Sequence, residues 1–174
     1  MKINSKTALT MYKQGKSLEH ADLCGEDLSD ICFKNVNFKY AKLENANFSN
    51  SDLSNANIST MHSNLSGANL RNTNLEKTNF SYSCMVNANL TNANLSNANL
   101  ASVDLTCSKL INTNLSNANL KSANLLNADL TEANLTGANL ESAYLRDAII
   151  TKSQLNQVKS YDRATLPDGT VSTC

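Results

Sequence analysis

The chain has no tryptophan, a single proline and five glycines in 174 residues, and only 5% of it is aromatic. Length alone points to one domain, but a core without large rings must be long and thin, held by stacking neighbour on neighbour rather than by one globular centre. The glycines (Gly15, Gly25, Gly67, Gly137, Gly169) are scattered and form no phosphate-binding loop. There are only two histidines, and although His20 shares a corner with Cys24, no third residue stands at metal-ligand spacing. Five cysteines (Cys24, Cys32, Cys84, Cys107, Cys174) are an odd number without paired spacing, so reduced thiols are expected, with Cys24 and Cys107 pointing outward as small side chains. No run of eighteen apolar residues offers a membrane span, and the start leads into no apolar stretch of a secretory signal. The expected location is the cytoplasm. Fifteen basic and fifteen acidic residues cancel. Between Val86 and Leu126 the only charges are Asp104, Lys109 and Lys121, so the basic stripe that nucleic acid requires is missing.

What the chain does have is a period of five. An apolar residue recurs at every fifth position from Leu18 to Ile58, then from Leu65 to Leu155 after two extra residues, giving twenty-eight centres. Twenty-one are Leu and four are Phe. Two residues before the centre stands Ala fifteen times and Ser or Thr eight times; Lys16 and Glu26 are the only charged exceptions, and Ile31, Val36 and Val103 are larger. The residue just before the centre is Asn or Asp in twenty of twenty-eight. Neither the helical 3.6 nor the strand period of 2 keeps such centres buried. A square coil does: one repeat per side, a corner every five residues, and centres twenty apart stacked in columns about 4.8 Å from one another. The small residue leaves room for four centres to meet on the axis.

The A-(D/N)-L-x-x pattern over residues 16–155 resembles the pentapeptide-repeat family. The resemblance implies an all-β fold, a right-handed quadrilateral β-helix of about seven coils. The predicted core includes Leu90, Leu95, Leu100, Leu105, Leu110, Leu115, Leu120, Leu125, Leu130, Leu135 and Leu140, with Leu100, Leu120 and Leu140 in one column.

Three segments fall outside the regular pattern. Residues 1–15 predict a helical N-terminal cap, with Ser5 as N-cap, Ala8, Leu9 and Tyr12 on one face, and Gly15 ending the helix. Residues 59–64 carry a two-residue insertion that must bulge outward if the coils stay in register. It reads either as a contact loop, since family members acting on a type II topoisomerase carry projecting loops, or as a corner insertion that the fold tolerates. Residues 156–174 resemble the A-T-L-P-D-G ending of bacterial family members. They are expected to fold back as a C-terminal cap anchored by Tyr161 and Leu166. From Leu18 to Phe48 the repeats are irregular and charged, a water-facing stretch that carries most of the individuality.

A filled rod offers no concavity in which polar groups converge, so no catalytic residue, metal site or cofactor is expected. The candidate interaction surface comprises Met61 and His62 in the insertion and Cys84, Val86, Leu126 and Tyr144 outward on the next face. Scattered surface apolar residues are also normal. The function read from the sequence is a non-enzymatic scaffold or protein-interaction module, monomeric, with a protein partner of unknown identity and no direct contact with nucleic acid or membrane. The alternative, suggested by resemblance to quinolone-resistance and mycobacterial family members, is a DNA-mimicking modulator of DNA gyrase or topoisomerase. That role needs rows of carboxylates, whereas Asn37, Asn57, Asn79, Asn99, Asn119 and Asn139 occupy one such row; Asn at corners also bonds its own backbone with no partner in mind. Binding to an ordered surface such as ice is disfavoured because Thr recurs in no fixed column.

Overall fold

The described corners from Leu18 to Leu145 are made the same way in the computed structural model, which describes residues 2–59 and 63–173. Among the described residues, the second residue after each centre from Leu18 to Leu145 sits in the left-handed region, as in Asn97 (φ 59°), Asn117 (φ 56°) and Asn127 (φ 56°). One residue further on, a backbone N–H donates to the carbonyl of the centre, as Ala98 does to Leu95 and Ala118 to Leu115. Asn and Gly are the residues that accept this conformation most readily, which explains their frequency at that position.

After four corners the chain returns above itself. One-residue parallel bridges join Asn79 to Asn99, Asn99 to Asn119 and Asn119 to Asn139, and three further columns run alongside, through Asn74, Asn94, Asn114 and Asn134, through Cys84, Asp104, Asn124 and Tyr144, and through Asn69, Asn89, Lys109 and Asp129. The ladder is a β-helix with twenty residues to the turn. Leu90 and every fifth residue through Leu140 are fully buried on its axis. Inward Thr at the small position is satisfied by carbonyls: the hydroxyls of Thr73, Thr78 and Thr113 donate to Phe48, Leu53 and Leu90 at 2.7, 2.9 and 2.8 Å, whereas the buried Ser108 hydroxyl has no partner among the described residues.

The insertion leaves the register intact. Asn57 bridges Asn79 and Lys42 bridges Asn64, a step of twenty-two in that coil alone, and the step of twenty resumes at Asn64 and Cys84. Thr60, Met61 and His62 lie outside the described residues.

Both ends differ in detail from the sequence reading. Helix α1 spans Ser5–Lys13, and its N-cap is Asn4, whose side chain accepts from the Thr7 N–H; Ser5 is already helical. Ala8 is buried and the half-buried Met11 and Tyr12 pack against the core, whereas Leu9, also half-buried, is not part of that face. At the other end the repeat does not run through Leu155. Lys152–Leu155 form a single helical turn, α2, closed by a capping box between Thr151 and Gln154. The ladder then resumes one residue out of step, Ser160 pairing with Asn139 and Thr165 with Tyr144. Where α2 interrupts it, the buried Gln154 amide donates to the carbonyls of Leu130 (2.7 Å) and Ala133 (3.0 Å). The chain finally folds back as an antiparallel pair, Thr165 with Val171.

Candidate functional site

The outward residues of the central coils are bonded mainly to one another. In the column just before the centres, each Asn accepts from a backbone N–H two residues on, as Asn94 from Ser96, Asn114 from Ser116 and Asn119 from Lys121. Its amide then donates to the Asn one coil earlier: Asn134 to Asn114, Asn114 to Asn94 and Asn94 to Asn74, at 3.1 to 3.3 Å. A parallel ladder joins Asn119 to Asn99 and Asn99 to Asn79, each at 3.1 Å. These amides therefore hold corners and coils together and leave little unmet polarity for a ligand.

Of the apolar residues expected to face outward, Cys84, Val86 and Leu126 are half-buried and only Tyr144 is exposed. Cys84 and Tyr144 belong to one bridge column, whereas Val86 and Leu126 lie in the adjacent row, so the structure places the four on one face without gathering them into a patch. Met61 and His62 fall outside the described residues. Cys107 is exposed, but Cys24 is part-buried, its thiol donating to Glu44 at 2.9 Å. Burial, together with the Glu44 and Asp22 carboxylates beside it, pushes that thiol up to about 12. Among the described residues no group of three His, Cys, Asp or Glu side chains is placed to hold a metal ion.

The N-terminal coils are chemically richer. Asp27 accepts from both the hydroxyl and the backbone N–H of Ser29 and from the Asn47 amide, and these bonds hold its carboxyl below the usual range. Asp22 is lowered likewise, chiefly by the hydrogen bonds of Cys24. Glu26, the acidic exception at an otherwise small position, accepts from the Ser5 N–H at 2.9 Å and so meets the positive end of α1. Tyr12 packs edge-on against Phe33 at 5.2 Å, and Phe33, Phe38 and Phe48 continue as an aromatic core, so this charged stretch faces water only with its outer side chains.

One feature escapes a reading of centres alone. The left-handed corner position carries Asn, Gly or another compact residue at most corners, yet on one edge it carries His20, Tyr40 and Tyr82, with φ of 60°, 59° and 63°. The rings of His20 and Tyr40 are stacked, 4.7 Å apart and 7° from parallel. In sequence the insertion falls between Tyr40 and Tyr82. A census of the position two after each centre finds this edge in the sequence.

Residues 58–135 match the family model described as a pentapeptide repeat region, and residues 31–59 and 123–159 match the model for pentapeptide repeats. No curated protein matches. Similar solved structures include trypsin-treated QnrB1, a plasmid-mediated fluoroquinolone resistance protein, at 23% identity and a TM-score of 0.62, covering 88% of this chain and 80% of that one. A pentapeptide repeat protein of the Arabidopsis thaliana thylakoid lumen is similar at 23% identity and a TM-score of 0.55, over 74% of this chain and 86% of that one. At these identities the likeness is one of fold.

Proposed function

The chain belongs to the pentapeptide-repeat family, and on that premise we propose that it is a non-enzymatic scaffold: a right-handed, four-sided rod of about seven coils that presents flat faces to a protein partner, as a cytoplasmic monomer. The observation that carries this reading is the pair of amide ladders. Two long faces are neutral and bonded to themselves, so they offer shape and small side chains to a partner rather than reactive groups. No helix among the described residues is long and apolar enough to cross a membrane. To test the reading, Ser116 and Thr136, which lie outward on one such face, are both changed to Arg. Loss of a partner captured by the native protein, with the melting temperature unchanged, supports it; retention of every captured partner counts against that face.

The second reading is a duplex mimic acting on DNA gyrase. Against it stands the order of charges along the rod: in none of the four bridge columns do carboxylates fall on successive coils, and Asp22 is followed by Lys42, Asp27 by Asn47 and Asp52 by Asn74. Mimicry rests on a strong negative field that salt screens, and such a column does not generate one. Micromolar protein is expected to leave gyrase supercoiling unchanged. Potent inhibition abolished by changing Asp22, Asp27 and Asp30 to Asn would reverse the order of the two readings.

A further inference from the structure

The exposed His20 ring, stacked on Tyr40, stands beside a cavity at the N-terminal end of the rod. His20 lines a cavity of about 200 Å³ between α1 and the first coil, whose walls are Ile3, Met11, Leu18 and Ala21 and whose rim carries Glu19. Leu18 is fully buried and Ile3 nearly so, so the floor is fixed by the core. Tyr40 covers one face of the imidazole, which leaves the other face free of that ring. The Glu19 carboxylate is exposed; among the described residues it enters no ion pair and meets only the Asn37 amide, at 3.5 Å.

We infer that this cavity binds a planar aromatic group carrying an N–H donor, of the indole type, its ring stacked on His20 against the Met11 and Leu18 wall and its N–H donating to Glu19. The volume fits that class, since an apolar cavity of about 150 Å³ already admits benzene. The wall removes the ring from water, the imidazole supplies a face for offset stacking, and the carboxylate selects a donor at the ring edge. A single-ring apolar group would offer Glu19 no donor, and a purely polar group would gain nothing from the wall. The site is independent of which rod face a partner uses, so it stands or falls apart from the scaffold reading.

The chain contains no Trp, so an indole probe is the only indole fluorophore in the sample. N-acetyltryptophanamide is titrated with the full chain and its anisotropy followed; saturable one-to-one binding is expected. The 1-methylindole analogue, which lacks the N–H, and the Glu19→Gln variant should each bind several-fold more weakly. His20→Asn, which introduces the residue most common at the left-handed corner position along the rod, should keep the fold and weaken binding roughly three- to tenfold, whereas Tyr82→Asn, on the same edge but away from the cavity, should change nothing. Free indole and a tripeptide with central Trp distinguish the source: preference for indole identifies a small molecule, preference for the peptide a partner's side chain. Absence of saturation at millimolar probe, or binding indifferent to both His20→Asn and the loss of the N–H, overturns the inference.

Discussion

The first coil and the coils between Leu90 and Leu140 repeat one five-residue unit but have different neighbours. A central coil has a copy of itself above and below, so its small positions hold Ala, Ser or Thr, apart from Val103, and its outward Asn residues bond along the axis. The first coil has α1 above it. Its small positions include Glu26, Ile31 and Val36, and one of its centres, Phe33, packs against Tyr12. The Tyr12 hydroxyl donates to the Lys34 carbonyl at 3.0 Å, and Ile3 N–H to the Asp22 carbonyl, closing part of an edge that a further coil would otherwise pair. Uniformity is thus a consequence of having identical neighbours, and departures from it mark where the neighbour changes.

The sharpest way to break this contrast is to move the exception. Ala118→Glu puts an acidic side chain at a buried small position with no helix N-terminus to receive it, and it should cost more than about 4 kcal/mol in chemical denaturation or prevent folding. The native counterpart, Glu26→Ala, should remove only about 1 kcal/mol, appearing as faster hydrogen exchange in α1 with the central ladder unchanged. If both substitutions cost the same, the positions are equivalent and the contrast fails.

Next in size are the centres. Truncating Leu120 to Ala should leave a cavity between coils and cost roughly 2–5 kcal/mol, and Phe38→Ala roughly 3–5 kcal/mol. A loss at Leu120 below about half a kcal/mol would show that the centre does not pack as an interior residue.

The glycine corners give a smaller, position-dependent effect. A Cβ on Gly25 would meet nothing, so Gly25→Ala should cost about 1 kcal/mol, from the left-handed backbone alone. At Gly137 the added atom would also meet the Asn117 side chain of the coil before. Gly137→Ala should therefore cost more, and Asn117→Ala in the same chain should recover the difference; a double-mutant cycle in urea measures it.

The smallest effect concerns acid. Asp22 and Asp27 have folded-state values below their unfolded value near 3.8, so their contribution is present above that value and lost as pH falls through the lower folded one. Stability should fall below about pH 4, and Asp27→Asn should blunt that fall while leaving neutral-pH stability little changed, since Asn fills the same position in the next coil. An acid limb identical in the variant would place the sensitivity elsewhere.

The β-helix and the family were legible because both depend on the repeat: Leu at the centre, Ala before it and Asn at the corner are each demanded by the backbone at every turn. The ends were legible only as irregularities. Asn4 rather than Ser5 caps α1 because only the placement of the helix over the first coil decides which residue is the last extended one. The apolar residues at Leu155, Tyr161 and Leu166 could not reveal that α2 would interrupt the ladder and that Ser160 would rejoin it, since a one-residue slip alters which backbone groups meet and not which residues are apolar.

By itself, then, the sequence determined the period, the identity of the core and the neutrality of the long faces, because these are properties of one repeat copied many times. Only the tertiary structure decided what no repeat contains: the Glu26 bond to the helix, the Gln154 amide standing in for a ladder bond, and the stack of His20 on Tyr40 beside the cavity under α1. Each joins residues about twenty or more apart at a place where the coil above or below is missing or altered, and a periodic pattern carries no information about its own interruptions.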